Sequence, residues 1–185
     1  MFNTYSFSEP SFATMTESAI GDYLPTTGTG VVELYVRETA PTCGHTKQRD
    51  CFERLARLED SGHLDSVTVR IWGDSICTRA PEVNGLSDIL ETITDIYSFS
   101  SGQSVSVAPF FQVETVDASI PNETFERIVP PHRTLVLSDD DGIVGVFPCL
   151  QGEEAYSAFE AIEELERTAE LNPHEGREIS AKPRR

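Results

Sequence analysis

VELYVR (32–37), KQRDCFERLARLED (47–60) and SVTVRIW (66–72) decide the fold between them. In the first stretch Val32, Leu34 and Val36 alternate with Glu33, Tyr35 and Arg37, the two-residue period of a strand. In the second, Phe52, Leu55 and Leu58 recur at three-residue spacing with Cys51 beside them, which predicts a helix with Thr46 as N-cap and Gly62 as its stop. In the third, Val67, Val69 and Ile71 alternate with Thr68, Arg70 and Trp72, a second strand. Strand, helix and strand in so short a span predict a βαβ unit with parallel strands and a right-handed crossover.

Outward from this unit, a second helix is predicted over Leu86–Phe99, with Ile89, Leu90, Ile93, Ile96 and Tyr97 on one face. Residues 105–116 read as extended with a bend at Pro109. Thr134–Leu137 and Ile143–Phe147 flank Ser138-Asp139-Asp140-Asp141-Gly142, and Asp-Gly between two apolar runs is a hairpin signal. A last helix is predicted over Glu153–Glu170, burying Ala155, Phe159, Ile162 and Leu165. The expected core comprises Phe52, Leu55, Leu58, Val69, Ile71, Ile93, Leu135, Leu137, Val144, Val146, Phe159 and Ile162.

The element order βαβ-α-β-ββ-α predicts an α/β fold: a mixed sheet flanked by helices, thioredoxin-like in order, with ferredoxin-like as the topological alternative. Residues 1–29 and 171–185 are polar, without steady apolar period, and are read as disordered tails. Residues 30–170 form the single domain expected of a 185-residue chain.

The charge balance is extreme. Aspartate and glutamate number 31 against 14 lysines and arginines, a net charge of −17, and Lys47 and Lys182 are the two lysines. Like charges repel across a small surface, and the Debye length of about 3 Å in 1 M salt removes that repulsion. The chain therefore reads as a halophile's protein. It has no apolar run of membrane-spanning length and no basic-then-apolar leader. Four scattered cysteines do not make a disulfide framework, so the expected compartment is the reducing cytoplasm.

Three patterns bear on chemistry. Cys43-Gly44-His45-Thr46 falls between the first strand and the first helix, where thioredoxin-like proteins carry a redox Cys-x-x-Cys and a helix N-terminus stabilises the thiolate. Thr46 replaces the second cysteine, leaving at most a monothiol site at Cys43. Val129-Pro130-Pro131 resembles the cis-proline element of such proteins, offset from the following strand by His132 and Arg133. The remaining candidate ligands (His45, Cys51, Cys77, His132, Cys149) lack zinc spacing. Asp139–Gly142 lacks the rest of a calcium loop, so no metal or other cofactor is expected. Third, the helix at 52–60 followed by Gly62 and a strand looks like a recognition helix and wing, with Arg49, Arg54 and Arg57 as phosphate contacts. A strand precedes this helix where two helices should.

Several segments together resemble a haloarchaeal family whose members are labelled helix-turn-helix domain proteins. They are VELYVR (32–37), Glu53–Gly73, Pro109-Phe110-Phe111, Ile128-Val129-Pro130-Pro131 and the Asp-Gly hairpin ending at Pro148-Cys149, and the likeness runs from Val31 to Leu165. It implies a lineage that fits the charge and carries over no catalytic residues.

The expected function is that of a non-catalytic cytoplasmic interaction or regulatory protein with a protein partner. A winged-helix-type DNA-binding transcription regulator is the first alternative, with nucleic acid disfavoured by the field, and a monothiol redox protein the second. No membrane partner is expected. The deciding observation is whether the strand at 31–36 pairs parallel with that at 67–71.

Overall fold

Strand β1 (Val31–Arg37) does pair in parallel with β2 (Ser66–Trp72), Leu34 opposite Val69. The computed structural model describes residues 30–39, 42–78, 86–118 and 123–171. The two predicted tails, 1–29 and 171–185, lie outside these residues, apart from Leu171. On its other side β1 meets β6 (Arg133–Asp139) antiparallel, Leu34 opposite Leu135, and β6 continues into β7 (Gly142–Phe147). The sheet order is thus β2-β1-β6-β7, a mixed sheet. Val32, Leu34 and Tyr35 are buried on both faces of β1, as a central strand covered by helices on each side requires.

Helix α1 (Thr42–Asp60) is the βαβ crossover and buries Cys51, Leu55 and Leu58. It begins five residues earlier than predicted, so Thr46 lies inside it and is not the N-cap. Gly44 and the β-branched threonines are poor helix formers, but once a helix is nucleated and docked each added residue gains a backbone bond. The stop is as expected. Gly62 takes φ +77°, its N–H donates to Glu59 O at 2.9 Å, and His63 N–H donates to Leu58 O at 2.9 Å, a paired closure of the last carbonyls around a left-handed residue.

Helix α2 (Leu86–Gly102) covers the opposite face. Its Ile93 and Ile96 are buried, and Thr92 Oγ1 lies 3.4 Å from the Tyr35 hydroxyl. Tyr35 stacks on Trp72 (ring centroids 4.9 Å), and Trp72 meets Phe111 edge-on at 5.7 Å. The hairpin predicted around Asp-Gly forms, with Asp139 Oδ1 accepting from Asp141 N–H (2.9 Å) and Gly142 N–H (3.2 Å).

β4 (Gln112–Ala118) overlaps the stretch 105–116 predicted as extended, and four further strands, β3 (Ile76–Cys77), β5 (Glu123–Val129), β8 (Cys149–Gln151) and β9 (Glu154–Tyr156), stand where none, or a helix, was predicted. β3, β4 and β5 form an antiparallel sheet in the order β3-β5-β4. Cross-strand pairs such as Arg127 Nε to Glu114 Oε2 (2.8 Å) and Thr124 Oγ1 to Asp117 Oδ1 (3.0 Å) hold this ribbon, and Val113 is exposed. Apolar alternation is weak because the pairing is polar. β8 (Cys149–Gln151) and β9 (Glu154–Tyr156) form a hairpin around Gly152, φ +62°.

Helix α3 (Ala158–Leu171) therefore starts after the predicted Glu153, and Ala155 is buried on β9 instead. Its start is set by a capping box: Ser157 N–H donates to Glu160 Oε2 at 2.7 Å and Glu160 N–H to Ser157 Oγ at 3.2 Å.

The predicted core needs four corrections. Phe52 (44%), Val69 (41%), Ile71 (65%) and Phe159 (36%) are exposed. β2 is an edge strand, and α1 packs against α3 as well as β2, so the outer row formed by Val69 and Ile71 is left uncovered. Phe159 falls beside the buried stripe Ala158, Ala161, Ile162 and Leu165. Leu55, Leu58, Ile93, Leu135, Leu137, Val146 and Ile162 are buried as predicted and Val144 is half-buried.

Candidate functional site

The arginines proposed for phosphate lie on α1, and each faces a glutamate. Arg54 Nε donates to both Glu166 carboxylate oxygens at 3.1 Å, and its side chain is 11% exposed. Its guanidinium also lies 4.5 Å from the centroid of the Phe159 ring. Arg57 lies 3.6 Å from the same Glu166, and Arg49 3.4 Å from Glu53 on the next turn. The Arg54 guanidinium holds the Glu166 carboxyl below its usual range. Arg54 thus joins α1 to α3, while Arg49 and Arg57 stay largely solvent-exposed.

Cys43 sits in the first turn of α1, inside the helix and not in a loop before it; its side chain lies outside the described part. Cys51 and Cys149 are buried free thiols. Burial raises the Cys51 thiol and pushes Cys149 up to about 12, which leaves both protonated and unreactive at neutral pH. Ser61 Oγ and His63 Nδ1 are 2.8 Å apart, but Ser61 Oγ is also 3.1 Å from Leu58 O, so the pair belongs to the capped end of α1. Among the described residues no cluster of three or more His, Cys, Asp or Glu could hold a metal.

The concave feature of interest is a cleft of about 710 Å³ where α1, α3 and the entry to β6 meet. That volume lies in the range of small-molecule sites. Its walls are Phe110, Pro131, Pro148, Ala158 and Phe159, and its charged or titratable members are Lys47, Asp50, His132 and Arg133. The backbone here is pinned from two sides. Arg37 N–H donates to His132 O at 3.1 Å and Arg37 Nη2 to Pro130 O, while Gln48 Nε2 lies 3.4 Å from Arg37 O. Among the described residues the cis bond is Phe147–Pro148, on the cleft wall; Pro130 and Pro131 follow trans bonds. Partial burial, then the positive charges of Arg37 and Arg133, lower the His132 pKa.

Among the described residues every arginine except Arg37 and Arg133 lies within 4 Å of a glutamate. Arg37 is held by a carbonyl. Arg133 and Lys47, both on the cleft, have no ion pair there. These two residues, Phe110, and Phe159 as a wall were not read as site residues from the sequence. The available signal was scarcity: Lys47 is one of two lysines in a strongly acidic chain.

A family profile described as Helix-turn-helix domain matches residues 25–170. The chain belongs to the Helix-turn-helix domain family. The match covers the βαβ unit, both small sheets and α3 alike, and the family's description points to a nucleic-acid-binding regulatory role. Among the described residues, however, no helix follows another without a strand between them, and the helix most like a recognition helix is the crossover of a parallel strand pair. No curated protein and no solved structure matches the chain. Among the described residues no helix is long and apolar enough to cross a membrane.

Proposed function

We propose that this member of the Helix-turn-helix domain family is a non-catalytic regulatory protein that acts by binding a small molecule in the α1–α3 cleft. The observation that carries this is the contrast in cation pairing. The arginines of α1 that would contact phosphate are answered by glutamates, whereas Lys47 and Arg133 have no ion pair among the described residues and stand on a ligand-sized, largely apolar cleft. The order β2-β1-β6-β7, with α1 and α3 on one face and α2 on the other, supports a thioredoxin-like scaffold, and fold alone does not set function. The acidic surface supports a cytoplasmic role in concentrated salt.

The family's description favours a second reading, a winged-helix-type regulator that contacts DNA through Arg49 and Arg57. Selection of genomic fragments by the purified full chain, followed by footprinting, separates the two. The proposal expects no sequence-specific footprint. A specific footprint that disappears in Arg57→Ala, a variant whose side chain is largely exposed, would establish the DNA-binding reading in its place. The redox alternative predicts a Cys43 thiol that is alkylated rapidly at neutral pH.

A further inference from the structure

Resting on the cleft as the working site, we infer that its ligand is a small organic monoanion with an apolar body, of the class of a medium-chain or aromatic carboxylate. The walls supply the first half of the argument. Phe110, Phe159, Pro131 and Pro148 present apolar surface, and Phe159 remains 36% exposed although it lies next to the buried stripe of α3. An apolar ligand body recovers burial that the fold leaves unmade.

Charge supplies the second half. Lys47 and Arg133 carry two positive charges and Asp50 one negative, so the charged lining sums to about one positive charge, His132 being held towards neutrality by burial and its two arginine neighbours. One carboxylate balances that sum. A phosphate ester would add a further negative charge inside a chain of net charge −17, and the surrounding field opposes it. Carboxylate also suits the planar donor fork of Arg133. Gln48 and Arg37 fix the backbone of residues 130–133, so Arg133 leaves a held segment and little ordering is needed on binding.

The test uses the full chain, octanoate as probe, octanamide as its neutral counterpart and acetate as the charge without the body, all at one KCl concentration. Binding is followed by amide chemical shifts and calorimetry. The inference expects saturable octanoate binding that shifts the amides of Thr46, Lys47, Arg133 and Phe159, with octanamide weaker by about tenfold and acetate silent. Arg133→Gln should weaken octanoate about tenfold and the more exposed Lys47→Gln less, with melting temperatures near wild type. Octanoate binding should also raise the His132 pKa, a change that mere apolar occupancy would not produce.

Equal affinity for octanamide and octanoate at these amides would overturn the anionic class while leaving the cleft as a binding site. Octanoate affinity indifferent to both variants, or no saturable binding, would overturn it as well. The reading of the cleft itself falls only to the specific DNA footprint described above, so the two failures are distinguishable.

Discussion

Replacing Arg54 with alanine should destabilise the protein by about 2–3 kcal/mol, because three contributions leave together. Its bidentate, charge-assisted bond to Glu166 joins α1 to α3. A hydrogen bond to a charged group contributes about 1.5–3 kcal/mol. The guanidinium over Phe159 adds about 0.5–1 kcal/mol, and its stem covers apolar surface at 11% exposure. Two facts hold the total below the 3–5 kcal/mol typical of a broken buried pair: Glu166 is 30% exposed and so partly solvated, and Arg57 at 3.6 Å remains to share its charge.

The pH dependence gives a second handle. The carboxyl of Glu166 is held below its usual value in the folded protein, so it binds fewer protons there than in the unfolded chain. Its contribution is complete above the unfolded value and is lost as pH falls through the lower, folded one. Glu166→Gln should therefore be less stable than wild type at pH 7 and should converge on it in the acid range. Equilibrium urea unfolding at pH 7 and at descending pH reads both effects. An Arg54→Ala loss under about 0.5 kcal/mol, the level of an ordinary surface substitution, would refute the clamp and return Arg54 to the set of residues free to contact a ligand.

Three other outcomes follow from the same geometry. Melting temperature should rise between about 0.1 and 2 M KCl as the carboxylate surface is screened, and a flat or falling curve would count against adaptation to salt. Phe159→Ala should cost only about 1–2 kcal/mol, below the 3–5 kcal/mol of a fully buried aromatic, while Leu55→Ala should cost about 2–5 kcal/mol; equal losses in chemical denaturation would contradict the exposure of Phe159. Iodoacetamide mapping by mass spectrometry should find Cys51 and Cys149 unlabelled in the folded protein at neutral pH, since burial raises both thiols; a Cys43 midpoint well below about 8.5 would favour the monothiol alternative.

The sequence made legible what depends on local period and on turn chemistry. Val32, Leu34 and Val36 recur every second residue because successive side chains of a strand point to opposite faces, and Gly62 ends α1 because a left-handed residue is needed there. What depends on distant partners was not legible. The strand β5 is held by Arg127–Glu114 and Thr124–Asp117, polar pairs without apolar period. Val69 and Ile71 carry the pattern of a buried strand, but their exposure follows from β2 standing at the sheet edge. The capping box Ser157-x-x-Glu160 was readable in principle, and helix propensity through the glutamates of 153 and 154 masked it. At the site, Arg49, Arg54 and Arg57 fall on one helix as read, but whether Arg54 and Arg57 are free depends on Glu166, more than a hundred residues away.

That dependence turns the acidic composition into an instrument for locating function. With more than two carboxylates for each cation, a surface arginine has a glutamate in reach at most positions. The exposed pairs formed this way contribute little, about 0–1 kcal/mol, and need no selection beyond abundance. Pairing is then the default and carries no information about role. Among the described residues the absence of a pair is the informative state, because a lone cation in such a field keeps its charge available only where no carboxylate comes within pairing distance. Lys47 and Arg133 meet that condition together, from α1 and from the start of β6, two elements brought together by the sheet and not by the chain. Single-residue conservation of charge would not distinguish them from Arg49 or Arg57. Their common position on one apolar cleft does.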